Sequence, residues 1–189
     1  MRVLACAFAL LAISACGERE VSSNTAADGC TREATQELTW SDAYAPDTIT
    51  ARSFGPSCAQ AVVLLVARNA NGDALWQSSS TYYEMNGGGV PPIDAAPITD
   101  EDMDRFLRSW ADLTVTTTNA LPEWRDGSAT IGEEGALLSY DTSLDRQGYE
   151  ALRAQSLRVV CYAVALEASN CLIIDPVLGV PIQIAASGI

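Results

Sequence analysis

The sequence predicts an α+β domain: an antiparallel β-sheet with about two helices packed on one face, and two disulfides. Three observations predict it. Strand-like segments group at the two ends of residues 30–189, helical periodicity is confined to the middle, and four cysteines are divided between the ends. Strands that are grouped apart from helices, rather than alternating with them, are typical of α+β folds.

The first part of the domain contains the strand signals that begin the sheet. Residues 37–40 are a short candidate strand, and residues 48–54 alternate polar and apolar side chains as a half-buried strand does. Residues 61–68 form a continuous Val- and Leu-rich run, which predicts a central, buried strand. Residues 69–73 have turn chemistry because Asn and Gly tolerate positive φ, so residues 74–81 should return as a hairpin arm.

Two segments in the middle have helical signals. Residues 99–113 begin with an N-cap threonine, and Asp102 at the third helical position resembles a capping-box partner. Four apolar side chains in this segment fall at the i, i+3, i+4 and i+7 positions of one helix face, namely Met103, Phe106, Leu107 and Trp110. Residues 145–155 are the second predicted helix, with Tyr149 and Leu152 facing inward.

Strand signals return in the last third of the chain. Residues 113–118 are rich in β-branched side chains, and residues 136–140 are a further short candidate strand. Residues 157–166 form the second strongly apolar run, and residues 171–174 follow it across a turn. Residues 180–185 are predicted to be the last strand, so the sheet is built from both ends of the domain.

The first 15 residues have the three-part build of a secretory signal peptide: one positive charge, an apolar run, then small residues. The apolar run is shorter than the roughly 20 residues that span a bilayer. Ile13-Ser14-Ala15-Cys16 then resembles the lipobox of bacterial lipoproteins. The resemblance implies cleavage before Cys16 and lipid on its thiol. The alternative is an ordinary secreted protein in which Cys16 carries no lipid.

The resemblance also implies a location. Residues 1–15 would be removed, and residues 16–29, which are polar and rich in small side chains, are expected to be a lipidated flexible tether. Residues 30–189 would then form one globular domain. Gly17 stands where an aspartate retains enterobacterial lipoproteins at the inner membrane. A lipid anchor in the outer membrane, with the domain facing the periplasm, is therefore expected.

Four cysteines remain once the signal peptide is removed and Cys16 carries lipid. An even number in an exported chain predicts two disulfides, for which three pairings exist. Nearness in sequence and the strand order favour Cys30–Cys58 and Cys161–Cys171. A strictly two-residue turn would offset the second pair, so a wider loop is expected there. The alternatives are a redox pair or a thiolate metal site, but the spacings fit no zinc pattern.

Composition excludes several kinds of chemistry. The chain has 24 acidic residues against 11 basic ones, a formal net charge of −13, and neither Lys nor His. An acidic surface disfavours nucleic acid, because phosphate contacts need basic side chains. The missing residues exclude a Ser-His-Asp relay, a Schiff base and a P-loop lysine. We therefore expect a chain that is no enzyme, takes no cofactor, and attracts a basic envelope protein.

The densest acidic cluster, Asp100, Asp102 and Asp104, is a candidate patch. Its alternation resembles the first ligands of a calcium loop, but Arg105 stands where an EF-hand requires glycine. Acidic side chains in the first turn of a helix interact favourably with the helix dipole without any ion. Helix-start chemistry is therefore the preferred interpretation of this cluster.

Three functional hypotheses follow. The first is a non-enzymatic lipoprotein that binds a partner or supports the cell envelope. The second is a periplasmic inhibitor of a basic hydrolase, since small, acidic, disulfide-bonded lysozyme-inhibitor lipoproteins share this general character. The third is a hydrolase that uses two carboxylates, which must lie about 5 to 10 Å apart. A cleft with two close carboxylates would favour the third hypothesis, and a convex acidic patch with a protruding loop would favour the second.

Overall fold

The computed structural model describes residues 29–89, 96–125, 131–132 and 139–189. In these residues three α-helices accompany nine strands, which form two antiparallel sheets. The α+β class is confirmed, although the strands form two sheets where the sequence predicts one. Both predicted disulfides, Cys30–Cys58 and Cys161–Cys171, are confirmed. The predicted signal peptide, the lipid on Cys16 and nearly all of the tether lie outside the described residues.

Sheet A is the first sheet and follows the chain in order. Its strands are β1 (Arg32–Leu38), β2 (Asp47–Phe54), β3 (Val62–Arg68) and β4 (Ala74–Thr81), each antiparallel to the next. The predicted hairpin of β3 and β4 is confirmed. Gly72 in its turn has φ of 86°, a conformation that glycine adopts without strain.

The first strand has different bounds from those the sequence predicts. A strand is expected at residues 37–40, whereas β1 spans Arg32–Leu38. Only Ala34 and Leu38 of β1 pack against the hydrophobic core. The strand lies at the edge of sheet A, where polar and charged side chains are common. It therefore lacks the apolar alternation by which its first residues would be recognised.

Three helices are described: α1 (Tyr82–Met85), α2 (Asp100–Ala111) and α3 (Arg146–Arg153). The capping box at the start of α2 is confirmed. The Thr99 hydroxyl accepts from the Asp102 N–H at 3.1 Å, and the Thr99 N–H donates to the Asp102 carboxylate at 3.2 Å. None of the described helices is long and apolar enough to cross a membrane.

Sheet B is the second sheet, and the spatial order of its strands differs from their order along the chain. Its strands are β5 (Thr114–Thr117), β6 (Ser139–Asp141), β7 (Arg158–Ala165), β8 (Ala168–Ile174) and β9 (Pro181–Gly188). Their spatial order is β5-β7-β8-β9-β6. The strand predicted at residues 136–140 is described only from Ser139 onward. β8 begins three residues before the predicted 171–174, and β9 begins one residue after the start of the predicted 180–185 and continues to Gly188.

The hairpin of β7 and β8 places Cys161 directly opposite Cys171. The prediction of a wider loop between β7 and β8 is wrong, because Ala165 pairs with Ala168 across a two-residue turn. A register shift between Ala163 and Ala165 compensates for the offset. A bulge sets two residues of one strand against one of its partner, so the cysteines meet without a longer turn.

Two hydrophobic cores stabilise the domain. The first lies between sheet A, α2 and one face of sheet B, which contributes Val160, Tyr162 and Leu172. The second lies on the opposite face of sheet B, where Val159 and Ile173 pack with Tyr149 of α3 and other apolar residues. Sheet B is therefore covered on both faces, and sheet A contacts a core through one face.

Candidate functional site

The turn between β8 and β9 carries a cluster of exposed apolar side chains. We call residues 175–180 the β8–β9 tip. Val177 is 88% exposed, Leu178 is 69% exposed and Val180 is 47% exposed. Single exposed aliphatic residues are ordinary on protein surfaces, whereas a cluster of them often marks an interaction site. Three within one turn make the tip the leading candidate.

Asp175 holds the tip in one conformation. Its carboxylate Oδ1 accepts hydrogen bonds from the N–H groups of Val177 and Leu178, each at 2.8 Å. Its carbonyl accepts from the Gly179 N–H at 2.8 Å, and its own N–H donates to the Val180 carbonyl at 2.8 Å. Four hydrogen bonds thus fix the backbone that displays the aliphatic side chains.

The local sequence explains this geometry. Asp175 begins the turn because an aspartate side chain hydrogen-bonds the backbone two residues ahead. Pro176 follows, and its ring presets the φ angle that the second residue of a turn requires. Gly179 has φ of 68°, which glycine adopts without strain. The sequence predicts only that the chain turns here before the last strand. The aliphatic residues between Pro176 and Pro181 were the available sign of a turn that exposes apolar side chains.

The loop between β1 and β2 displays an aromatic side chain in a similar way. Tyr44 is 98% exposed, and its N–H donates to the carboxylate of Asp42 at 2.8 Å. The base of the loop is tied to the buried carboxylate of Asp47, which accepts from the N–H groups of Trp40 at 2.8 Å and Ser41 at 2.7 Å. This second ordered loop lies at one end of sheet A.

The three carboxylates of the predicted acidic patch mainly make structural contacts with other residues of this chain. Asp102 closes the capping box of α2, and Asp104 accepts from the Arg32 guanidinium of β1 through Nε at 2.7 Å and Nη2 at 2.5 Å. Asp100 lies at 3.4 Å from the same guanidinium. Hydrogen bonds from Arg32 lower the pKa of Asp104, and hydrogen bonds from Thr99 lower the pKa of Asp102. The cluster fastens the start of α2 to β1.

One grouping in the described residues has the proximity of a metal site. The sulfurs of Cys30 and Cys58 lie close to a carboxylate oxygen of Asp100. The two cysteines are joined in a disulfide, so neither offers a thiolate. The Cys58 sulfur is 3.5 Å from the Asp100 oxygen and has no proton to donate. A single carboxylate is left, which does not amount to a metal site.

The shifted carboxyl groups bear on the hydrolase hypothesis. The pKa values of Glu84, Asp102, Asp104 and Glu150 are all lowered, in each case chiefly by hydrogen bonds to the carboxylate. A general acid at neutral pH needs the opposite shift, toward the protonated form. These four groups are therefore held as anions in structural contacts.

The sites predicted from sequence and those displayed by the structure thus differ. The disulfides and the capping role of Asp102 agree with the sequence, whereas the exposed tip and the Tyr44 loop were not singled out by it. Cys16 lies outside the described residues. Comparison with known proteins gives no further assignment: no protein-family model, curated protein or solved structure matches this chain.

Proposed function

We propose that this chain is a non-enzymatic envelope lipoprotein that is anchored by lipid on Cys16 and binds a partner protein through its β8–β9 tip. The observation that carries the proposal is the tip itself, in which Asp175 orders a turn that exposes Val177 and Leu178. The lipid anchor rests on the lipobox-like sequence Ile13-Ser14-Ala15-Cys16.

The energetics of the tip suit partner binding. Burying an exposed aliphatic side chain of this size contributes about 1.5–3 kcal/mol. Binding normally costs free energy to order a loop, but the backbone here is already held by the hydrogen bonds of Asp175. Val177 and Leu178 would act as a preformed anchor for an apolar pocket on the partner.

Charge narrows the class of partner. The chain has a formal net charge of −13, which favours encounter with a basic protein. A rigid protruding turn also fits the second candidate function, inhibition of a basic hydrolase, because such a turn can enter an enzyme cleft. An activity assay of the partner distinguishes the two functions. A hydrolase that this chain inhibits loses activity when the chain is added, whereas a structural partner has no hydrolytic activity.

Site-specific photo-cross-linking in intact cells tests the tip. A photoreactive phenylalanine replaces Leu178 in one strain and Leu166 in another; Leu166 is a similarly exposed leucine in the turn between β7 and β8. We expect one discrete cross-linked product from position 178 and none from position 166. Products from both positions, or from neither, would contradict binding through the tip.

The role of Asp175 is tested with the captured partner. Asp175→Ala removes the acceptor for the N–H groups of Val177 and Leu178, whereas Asp175→Asn retains a side-chain oxygen. We expect the alanine variant to weaken binding about tenfold through loss of preorganisation and the asparagine variant to restore most of it. Equal binding by both variants would show that the ordered turn is irrelevant to the partner.

The lipid anchor is tested separately. Cys16→Ser, or globomycin treatment of the unaltered chain, should abolish palmitate labelling and release the protein from sedimenting membranes. A variant that still labels and still sediments would refute the lipobox interpretation. This result is independent of the tip, because the chain could bind its partner without being lipidated.

A further inference from the structure

The outer edge of β1 pairs with no other strand of the described residues. The N–H of Cys30 donates to the carbonyl of Gly55 at 2.9 Å, in register with the ladder between β1 and β2. Hydrogen-bonded pairs alternate along an antiparallel ladder, so the even-numbered residues of β1 bond to β2. The N–H and C=O groups of Glu33, Thr35 and Glu37 therefore point away from sheet A.

A groove runs beside this edge. It has a volume of about 420 Å³ and is lined by residues 31–36 together with Asp104 and Arg108 of α2. The strand forms one wall and the helix forms the other. An extended peptide laid along the edge would pair with the backbone of β1, as in recognition by strand addition, while its side chains on one face would meet α2.

One basic side chain that lines the groove is available to bind a peptide carboxylate. Asp104 is paired with Arg32, and Glu33 is paired with Arg52 at 2.5 Å. Arg108 is exposed and has neither a hydrogen bond nor an ion pair with any described residue, although its charge acts on the nearby Asp104 and helps to lower the pKa of that carboxyl. The N–H donors of its guanidinium are therefore not used by any described residue and can bind a carboxylate.

We infer that the groove between β1 and α2 binds an extended peptide as an added strand, with an acidic side chain of the peptide facing Arg108. A second copy of this chain is a poorer occupant. Two β1 strands that paired about a two-fold axis at Thr35 would set Glu33 of one copy against Glu37 of the other, and like charges in direct opposition are unfavourable. This site is separate from the β8–β9 tip and does not depend on it.

The first experiment pans a phage-displayed library of random 12-residue peptides against the full chain in detergent and measures the affinity of the enriched peptides. They should share an Asp or Glu at one position. Arg108→Glu should weaken them at least tenfold, about the effect of losing a charge-assisted hydrogen bond. Arg105→Glu is the control, since it makes the same charge change on α2 outside the groove; it also breaks the ion pairs of Arg105 with Glu101 and Asp102, so circular dichroism first checks that both variants are folded. Equal losses in the two variants would overturn the proposal.

The second experiment tests the strand edge itself. Thr35→Pro removes an outward N–H without breaking the ladder to β2, a substitution that edge strands tolerate. Thr35→Ala retains the N–H and is the control. We expect the proline variant to keep the circular dichroism spectrum and lose the peptides at least tenfold, and the alanine variant to bind normally. Failure to enrich any peptide, or peptides that bind the proline variant equally well, would overturn the proposal.

The two proposed sites are distinguishable in the same assays. Val177→Ser with Leu178→Ser should leave the enriched peptides bound at full affinity, because the β8–β9 tip does not line the groove. Thr35→Pro should leave the cross-link from position 178 intact. Failure of one site therefore says nothing against the other.

Discussion

β3 of sheet A and β7 of sheet B are central strands with similar apolar sequences, but their two faces are buried to different extents. β3 and β7 are both nearly unbroken apolar runs. Val159 and Val160 of β7 are both buried, and they face different cores. In β3, Leu65 is fully buried against the first core, whereas on the opposite face Val62 is 49% exposed and the buried Val66 belongs to neither core. A continuous apolar run therefore indicates a central strand, not a strand that is covered on both faces.

This difference bears on how each sheet can meet a partner. Both faces of sheet B are occupied by cores, so most of its exposed large apolar side chains lie in its turns, as in the β8–β9 tip. Sheet A ends in the charged strand β1, whose outer edge lines the groove beside α2. The two proposed sites correspond to these two situations: a turn on the covered sheet and an edge on the open one.

The largest expected difference between the sheets is in their disulfides. Cys30–Cys58 closes a separation of 28 residues beside sheet A, and Cys161–Cys171 closes one of 10 within sheet B. Removal of the first by double alanine substitution should cost about 3.5 kcal/mol of unfolding free energy, and removal of the second about 2.5 kcal/mol, because the longer loop restricts the unfolded chain more. Urea denaturation of both double variants measures this.

The order of the two losses is the informative result. Both sulfurs of Cys30–Cys58 also belong to residues buried in the first core, which adds a packing loss in the same direction. An equal or larger loss for Cys161–Cys171 would contradict the expected order. It would mean that the disulfide within the hairpin of sheet B contributes at least as much to the unfolding free energy as the disulfide beside sheet A.

Adjacent leucines in β3 test the one-sided burial of sheet A. Leu65→Ala empties a fully buried position and should cost about 3 kcal/mol. Leu64→Ala removes the same atoms from the opposite, partly exposed face and should cost about 1 kcal/mol. Unfolding free energies from urea titration provide the comparison. Equal costs would show that the outer face of sheet A is as well packed as the inner one.

Adjacent valines in β7 are the corresponding test for sheet B. Val159→Ala and Val160→Ala each remove two carbon atoms from a buried position, in different cores. Each should cost about 2 kcal/mol, from lost burial plus a residual cavity. Nearly equal losses of unfolding free energy in the same urea measurement would confirm that both faces of β7 are packed against a core. A large inequality would place β7 with β3 as a one-sided strand.

Much of the fold was predictable because its signals are local. The hairpin of β3 and β4 followed from turn residues between two β-rich runs, and the start of α2 followed from Thr99 and Asp102. The division into two sheets depends instead on pairings between distant strands. The register shift near Ala163 is likewise a property of the pairing between β7 and β8. Neither leaves a periodic pattern in the sequence.

The candidate site was less predictable for a related reason. Asp104 was recognisable as part of an acidic helix start, but its partner Arg32 lies 72 residues earlier in the chain, and no local pattern connects them. The exposure of the β8–β9 tip was not predictable for another reason. Val177 and Leu178 are aliphatic residues of the kind that normally indicate a buried strand. Their exposure follows only from the turn that Asp175 imposes.

The smallest expected effect concerns the ion pair that joins α2 to sheet A. Hydrogen bonding from Arg32 lowers the pKa of Asp104 in the folded state. Its stabilising effect is therefore complete above the unfolded-state pKa of about 4 and is lost as the pH falls through the lower folded-state pKa. Asp104→Asn should destabilise the domain at pH 7, and the difference from the unaltered chain should shrink on acidification.

Urea unfolding of both proteins across pH 7 to pH 3 measures this linkage. Glu37→Gln is a matched control, because it removes a carboxylate of β1 that has no ion pair with any described residue. A constant difference between Asp104→Asn and the unaltered chain at all pH values would mean that the ion pair contributes nothing through charge. The attachment of α2 to sheet A would then rest chiefly on the apolar side chains that α2 contributes to the first core, such as Met103 and Leu107.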